Sequence, residues 1–94
     1  MATIVVYVST VAGSLDVKKQ QQRIEMILGK TYQGNEVKYI DVAADEDAKK
    51  KMRDIIGDEK AVPPQIFNGD TYCGNFQKFD DAVEDGELKQ FLKL

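Results

Sequence analysis

A chain of 94 residues, 43% hydrophobic and 31% charged, is the size and composition of one soluble domain, taken as residues 1–94. A net charge of −3 argues against nucleic acid or an anionic membrane as main partner, since both select basic patches. One cysteine, Cys73, and no histidine exclude an intrachain disulfide, a two-cysteine redox motif, and the commonest general base and metal ligand.

The elements follow in chain order. Thr3-Ile4-Val5-Val6-Tyr7-Val8 is an unbroken β-branched and aromatic run, so it reads as a central strand covered on both faces. Ser9 to Gly13 breaks that pattern. Ser14 or Asp16 then caps a helix carrying Val17, Ile24, Ile27 and Leu28 at helical spacing, with Gly29 as its expected C-terminal cap. Gln33-Gly34-Asn35 is a turn, and Val37 to Val42 a second strand. Asp45 caps a second helix whose apolar stripe is Ala48, Met52, Ile55 and Ile56, ended by Gly57. Pro63-Pro64 opens a new element. Gln65-Ile66-Phe67 and Thr71-Tyr72-Cys73 flank Asn68-Gly69-Asp70, a hairpin signal. Gly74-Asn75 starts a third helix with Phe76, Phe79, Ala82 and Val83 inward, and Leu88, Phe91, Leu92 and Leu94 form a short final one. The apolar start is too short for a secretory h-region, and no run approaches the ~20 residues of a membrane span.

The order β-α-β-α-β-β-α-α suits an α/β fold, a four-stranded mixed sheet with helices on both faces. The sharper signal is Ala61-Val62-Pro63-Pro64-Gln65-Ile66-Phe67-Asn68-Gly69-Asp70 followed by Tyr72-Cys73-Gly74-Asn75-Phe76. It resembles the C-terminal half of glutaredoxins, within the thioredoxin-like superfamily. With Gly13-Ser14, Gln20-Gln21-Gln22 and the Phe-Leu-Lys-Leu end added, the whole chain is similar to the SH3-domain-binding glutamic-acid-rich-like protein family, in its short members. The resemblance implies a glutaredoxin-like β-α-β-α-β-β-α fold, a cis peptide before Pro64, and a cytoplasmic, non-enzymatic adaptor or modulator; a chain of this size is also small enough to diffuse into the nucleus.

The site reading starts from a missing group. The segment from Ser9 to Asp16 is where a glutaredoxin places its Cys-x-x-Cys at a helix N-terminus, and it holds no thiol. A hydroxyl cannot form the mixed disulfide that exchange requires. The segment reads either as a vestigial active-site loop reused for binding or as an ordinary capping loop. Ser9, Thr10, Gly13, Ser14, Val62, Pro63, Pro64, Gly74 and Asn75 are the candidate binding cleft. Cys73 is either inert packing or a reactive thiol near a helix N-terminus. Weak glutathione binding is disfavoured: no basic residue occurs in Val8-Ser9-Thr10-Val11, and Asn75-Phe76 follows a single glycine. No cofactor is therefore assigned. Asp41, Asp45, Glu46 and Asp47 read as a helix N-terminal charge cluster, and no metal site is assigned. Pro63-Pro64-Gln65-Ile66-Phe67 lacks PxxP spacing but fits the Pro-Pro-x-x-Phe pattern of EVH1 ligands, while the same residues enter a strand expected to be covered. The favoured reading is a monomeric module that binds other proteins through its folded surface. The alternative is a residual redox or glutathione-linked protein that uses Cys73 alone.

Overall fold

The computed structural model describes residues 3–11, 13–32 and 37–94. The element order is β1 (Ile4–Val8), α1 (Leu15–Thr31), β2 (Val37–Asp41), α2 (Glu46–Ile56), β3 (Gln65–Asn68), β4 (Thr71–Asn75), α3 (Phe76–Glu84) and α4 (Leu88–Phe91). The four strands form one mixed sheet in the order β2-β1-β3-β4. β1 runs parallel to β2 and antiparallel to β3, and β3 and β4 form an antiparallel hairpin. The turn Gln33-Gly34-Asn35 lies outside the described residues.

The sheet separates two apolar cores, and period-two alternation along β1 feeds both. Ile4 and Val6 join Ile24 and Leu28 of α1, Ile66 of β3, Phe79 of α3 and Leu92. Val5 and Tyr7 join Met52 of α2, Phe67 of β3, Val42 and Ala61. Helices α1 and α3 therefore share one face and α2 covers the other. On the α2 side, Phe67 stacks edge-on against Tyr7 at 5.0 Å and tilts against Tyr72 at 5.2 Å between ring centroids. On the other side, the Arg23 guanidinium donates to the Asp80 carboxylate at 2.7 Å and ties α1 to α3.

The starts of α1, α2 and α3 and the end of α2 follow the capping chemistry. Ser14, Asp45 and Asn75 cap α1, α2 and α3 through side-chain oxygens that accept from Val17, Ala48 and Lys78 amides. Gly57 closes α2 in the left-handed conformation at φ 80°. Gly29 does not close α1: the helix continues to Thr31, and Tyr32 sends its N–H back to the Leu28 carbonyl. Packing supplies the extra turn, because Ile27 and Leu28 face the core and Tyr32 packs against it. The hairpin also differs by one residue from the expected turn. Asn68 pairs with Thr71, so the two-residue loop is Gly69-Asp70, with Gly69 at φ 61° as a II′ turn requires.

β4 carries a bulge. Phe67 faces Tyr72 and Ile66 faces Gly74, so Cys73 is an extra residue with no partner on β3. Beside it, Gly74 passes close under α3 and the segment after it. A Cβ on Gly74 would stand 2.8 Å from Phe91 Cε1 and 3.1 Å from Lys78 Cβ. Gly74→Ala is therefore expected to destabilise the protein by about 1–3 kcal/mol through overpacking. Gly29→Ala meets open space in mid-helix, and is expected to stabilise by about 0.5–1 kcal/mol. Urea unfolding midpoints at unchanged slope would measure both changes.

Candidate functional site

Strand register brings the candidate residues to one end of the sheet. Val8 at the end of β1 pairs with Asp41 at the end of β2. Tyr7 pairs with Gln65 at the start of β3, and Gln65 pairs with Asn75 at the end of β4. The loop after β1 (Ser9, Thr10, Gly13, Ser14), the segment before β3 (Val62, Pro63, Pro64) and the β4–α3 junction (Gly74, Asn75) thus emerge together.

The loop after β1 is held from both sides by side chains that imitate backbone pairing. From α1, Gln21 accepts the Ser9 N–H on Oε1 at 2.8 Å and donates Nε2 to the Ser9 carbonyl at 3.1 Å. From β2, Asp41 accepts the Thr10 hydroxyl at 2.6 Å and the Thr10 N–H at 3.2 Å. The same carboxylate accepts the Ala43 N–H at 3.0 Å. Hydrogen bonding from the Thr10 hydroxyl and from backbone amides holds the Asp41 carboxyl below its ordinary pKa, against a smaller opposing effect of desolvation. Neither Gln21 nor Asp41 stands out in the sequence as a site residue. Gln21 sits in a glutamine triplet, and Asp41 reads there as one of a helix N-terminal charge cluster.

Before β3, the Pro63-Pro64 peptide bond is cis. Pro64 is buried, and Val62 is 59% exposed. Gln65 is the buried polar residue of this region, and both ends of its amide are used. Its Nε2 donates to the Val62 carbonyl at 2.8 Å, and its Oε1 accepts the Tyr72 hydroxyl at 2.7 Å. Pro63 has no N–H to offer. Backbone pairing groups on this edge are therefore few: the Val62 carbonyl is occupied and the Pro63 donor is absent. The rest of the proline motif is interior, since Ile66 and Phe67 are 0% exposed and are paired to β1 on one side and β4 on the other.

Cys73 does not join this end. It lies in the bulge of edge strand β4, half-buried against the α1/α3 core, with its thiol 3.9 Å from the Thr71 carbonyl. Burial pushes the thiol pKa up, with the Lys93 charge opposing. That is the reverse of what a nucleophilic thiolate needs. Among the described residues, no group of three or more His, Cys, Asp and Glu side chains is placed to share a metal ion.

Two clefts lie elsewhere, and none of the nine candidate residues lines either of them. One of about 330 Å³ sits between α3 and α4, over Phe91 and Ala82 with Asp81, Asp85 and Glu87 on its rim. The other, of about 280 Å³, runs along α2 beside Lys49, Lys50 and Arg53. The candidate residues share one end of the sheet, and no motif marks either cleft: one is lined by α2 and Glu59, the other by α3, α4 and the residues between them. At the sheet end the exposed large hydrophobic side chains are Val11, Leu15 and Val62, with exposed Thr10, Ser14, Asp16 and Asn75 among them. The Asp41 carboxylate, hydrogen-bonded to the Thr10 hydroxyl, is the charged group that the loop after β1 holds at this end.

The Asp41 latch has a measurable consequence. Its folded-state pKa is lowered, so it adds stability above the unfolded value of about 3.9, and this is lost as pH falls through the folded value. In a carboxyl-carbon NMR titration Asp41 is expected to titrate below that value and to return toward it in Thr10→Val. A midpoint unchanged by the substitution would show that the Thr10 hydroxyl does not hold the charge.

With this geometry in place, comparison with known proteins identifies the scaffold. The family model described as "SH3-binding, glutamic acid-rich protein" matches residues 2–94. The SH3 domain-binding glutamic acid-rich protein homolog of Drosophila melanogaster is 36% identical over 95% of this chain. The chain spans 63% of that relative's length. Among solved structures, an actin interacting protein of C. albicans superposes with a TM-score of 0.76 at 28% identity, covering 97% of this chain and 88% of that one. A buckwheat glutaredoxin in complex with glutathione superposes at 0.68 with 18% identity, covering 98% of this chain and 77% of that one, which shows a shared fold. The chain belongs to the SH3-binding, glutamic acid-rich protein family and has the glutaredoxin-like, thioredoxin-like α/β fold.

Proposed function

We propose that residues 1–94 act as a non-catalytic protein-interaction module of glutaredoxin-like fold, with the sheet end formed by residues 9–14, 62–64 and 74–75 as its contact surface. The observation that carries this reading is the position of the single thiol. Thiol–disulfide exchange needs a low-pKa cysteine at the start of α1. Ser14 caps that helix instead, and Cys73 sits two strands away from β1 with a raised pKa. Exposed Val11, Leu15 and Val62, at 75%, 64% and 59%, favour an apolar protein surface as the ligand. The C. albicans structural relative is an actin interacting protein, which supports a protein as the class of partner. We place the module in the cytoplasm as a monomer, without nucleic acid or membrane as partner. No helix among the described residues is long and apolar enough to cross a membrane.

Glutathione has no role in this reading. The occupied Val62 carbonyl and the missing Pro63 donor argue against the backbone ladder that a bound tripeptide would use. In a coupled assay of glutathione mixed-disulfide reduction, the protein is expected to show only the uncatalysed rate. Turnover above that rate, lost in Cys73→Ser, would establish the redox alternative instead.

The proline motif is proposed to be silent in the folded protein. Ile66 and Phe67 are interior, and Gln65 and Pro64 are buried with them. Titration with an SH3 or an EVH1 domain, followed by amide shifts, is expected to leave residues 61–67 unmoved. Saturable binding mapped to those residues, absent in Pro63→Ala with the fold intact, would reverse this assignment.

A further inference from the structure

The hairpin tip carries a reactive pair that the proposed contact surface does not use. Asn68 is the last residue of β3 and is followed by Gly69, whose missing side chain leaves its peptide nitrogen unshielded. The Asn68 side-chain amide is a tether: Nδ2 donates to the Leu92 carbonyl at 2.9 Å and to the Lys93 carbonyl at 3.2 Å. It secures the segment after α3 to the sheet. That segment contributes Leu92, 0% exposed, to the α1/α3 core, and Phe91 packs edge-on against Phe79. Cys73 packs against the same core.

We propose that Asn68 is a deamidation site whose conversion releases residues 88–94 from the sheet. The Gly69 nitrogen, after losing its proton to solvent base, attacks Asn68 Cγ. A carbon–nitrogen bond forms, the bond from Cγ to Nδ2 breaks, and ammonia leaves with a proton. Water opens the resulting five-membered imide at either carbonyl and yields aspartate or isoaspartate. The net reaction is amide plus water to carboxylic acid plus ammonia, with no oxidant or reductant.

The fold restrains this step. Asn68 is paired to Ile4 on one side and Thr71 on the other, which keeps its backbone extended. The Gly69 N–H donates to the Thr3 carbonyl at 2.8 Å, and the leaving amide nitrogen is held by two carbonyls. The reaction therefore draws on moments when this end of the hairpin opens. Once complete, it cannot be undone by reclosing. A carboxylate at position 68 is an acceptor facing two acceptors, so both tethering bonds are lost and repulsion replaces them. Isoaspartate also lengthens the main chain by one carbon where Asn68 closes the turn on Thr71. The consequence is local: Leu92 and Phe91 leave the core face and uncover Phe79, Ile66 and Cys73.

The test holds the full chain at mildly alkaline pH beside a free peptide of residues 65–71, and maps the amide-to-acid mass gain by peptide digestion. Conversion is expected at Asn68, roughly tenfold slower in the folded chain than in the peptide. In parallel, Asn68→Asp supplies the product directly. Its Leu92 amide is expected to exchange roughly tenfold faster, with Cys73 more rapidly alkylated and the β1 amides as protected as before. Equal rates in chain and peptide, no detectable conversion of the folded chain, or a mass gain at another residue would overturn the proposal. So would an Asn68→Asp chain whose Leu92 and Cys73 stay protected, or one that loses protection in β1 as well.

Discussion

β1 is the constraint on which the other elements depend. It is the strand paired on both edges by neighbours from distant parts of the chain, and it supplies side chains to both cores. Ile4 and Val6 require a helix on one face, and Val5 and Tyr7 require one on the other. A strand buried on both faces cannot alternate polar and apolar residues, and this one does not. Its parallel pairing with β2 obliges the chain to cross over through α1. Its antiparallel pairing with β3 then fixes where the hairpin sits, and the hairpin places α3. The sheet end that gathers the candidate residues is a consequence of this order, because the C-terminal ends of β1, β2 and β4 and the start of β3 must coincide there.

What can be read along the chain is what depends on local chemistry. The Ile4-to-Val8 run, the caps Ser14, Asp45 and Asn75, and the αL glycine Gly57 each have a cause within a few residues, and each appears where its pattern indicates. Gly29 shows the limit of such reasoning. Glycine is a good C-cap, but burial of Leu28 and packing of Ile27 and Tyr32 outweigh its helix penalty of about 1 kcal/mol. The site shows the limit more sharply. Gln21 and Asp41 lie 12 and 31 residues from their partners in the β1–α1 loop. No spacing rule predicts that a glutamine amide will stand in for a neighbouring strand at Ser9. Likewise the groove over Phe91 forms where α4 folds back beside α3, and the one along α2 is lined by that helix and Glu59, while the sequence pattern of each helix alone is that of an ordinary amphipathic surface.

The loop after β1 is held by side chains rather than by a neighbouring strand. A nucleophile in a thioredoxin-like fold needs its thiolate stabilised by unsatisfied donors at the helix start. Here the Ser14 oxygen takes the Val17 amide, Gln21 takes the Ser9 amide, and Asp41 takes those of Thr10 and Ala43. Of these amides only that of Val17 belongs to the start of α1; the others order the loop, and Asp41 adds negative charge to it.

The proline motif is likewise committed to internal contacts. A short linear ligand must offer its side chains and backbone to a partner, which works when the segment costs little to expose. Residues 65–68 are the opposite case: β3 is an interior strand, bonded to β1 and β4, with Ile66 in one core and Phe67 in the other. Lifting it out would separate the hairpin from β1 and open both cores at once. That loss is comparable with the ~5–15 kcal/mol that holds a domain of this size together. A groove that binds prolines with micromolar affinity returns about 8 kcal/mol, so binding there would draw on an already unfolded chain. The contact surface proposed above accordingly uses what β3 positions rather than β3 itself: the exposed Val62 ahead of it, and the loops that its register sets beside Val62 at the sheet end.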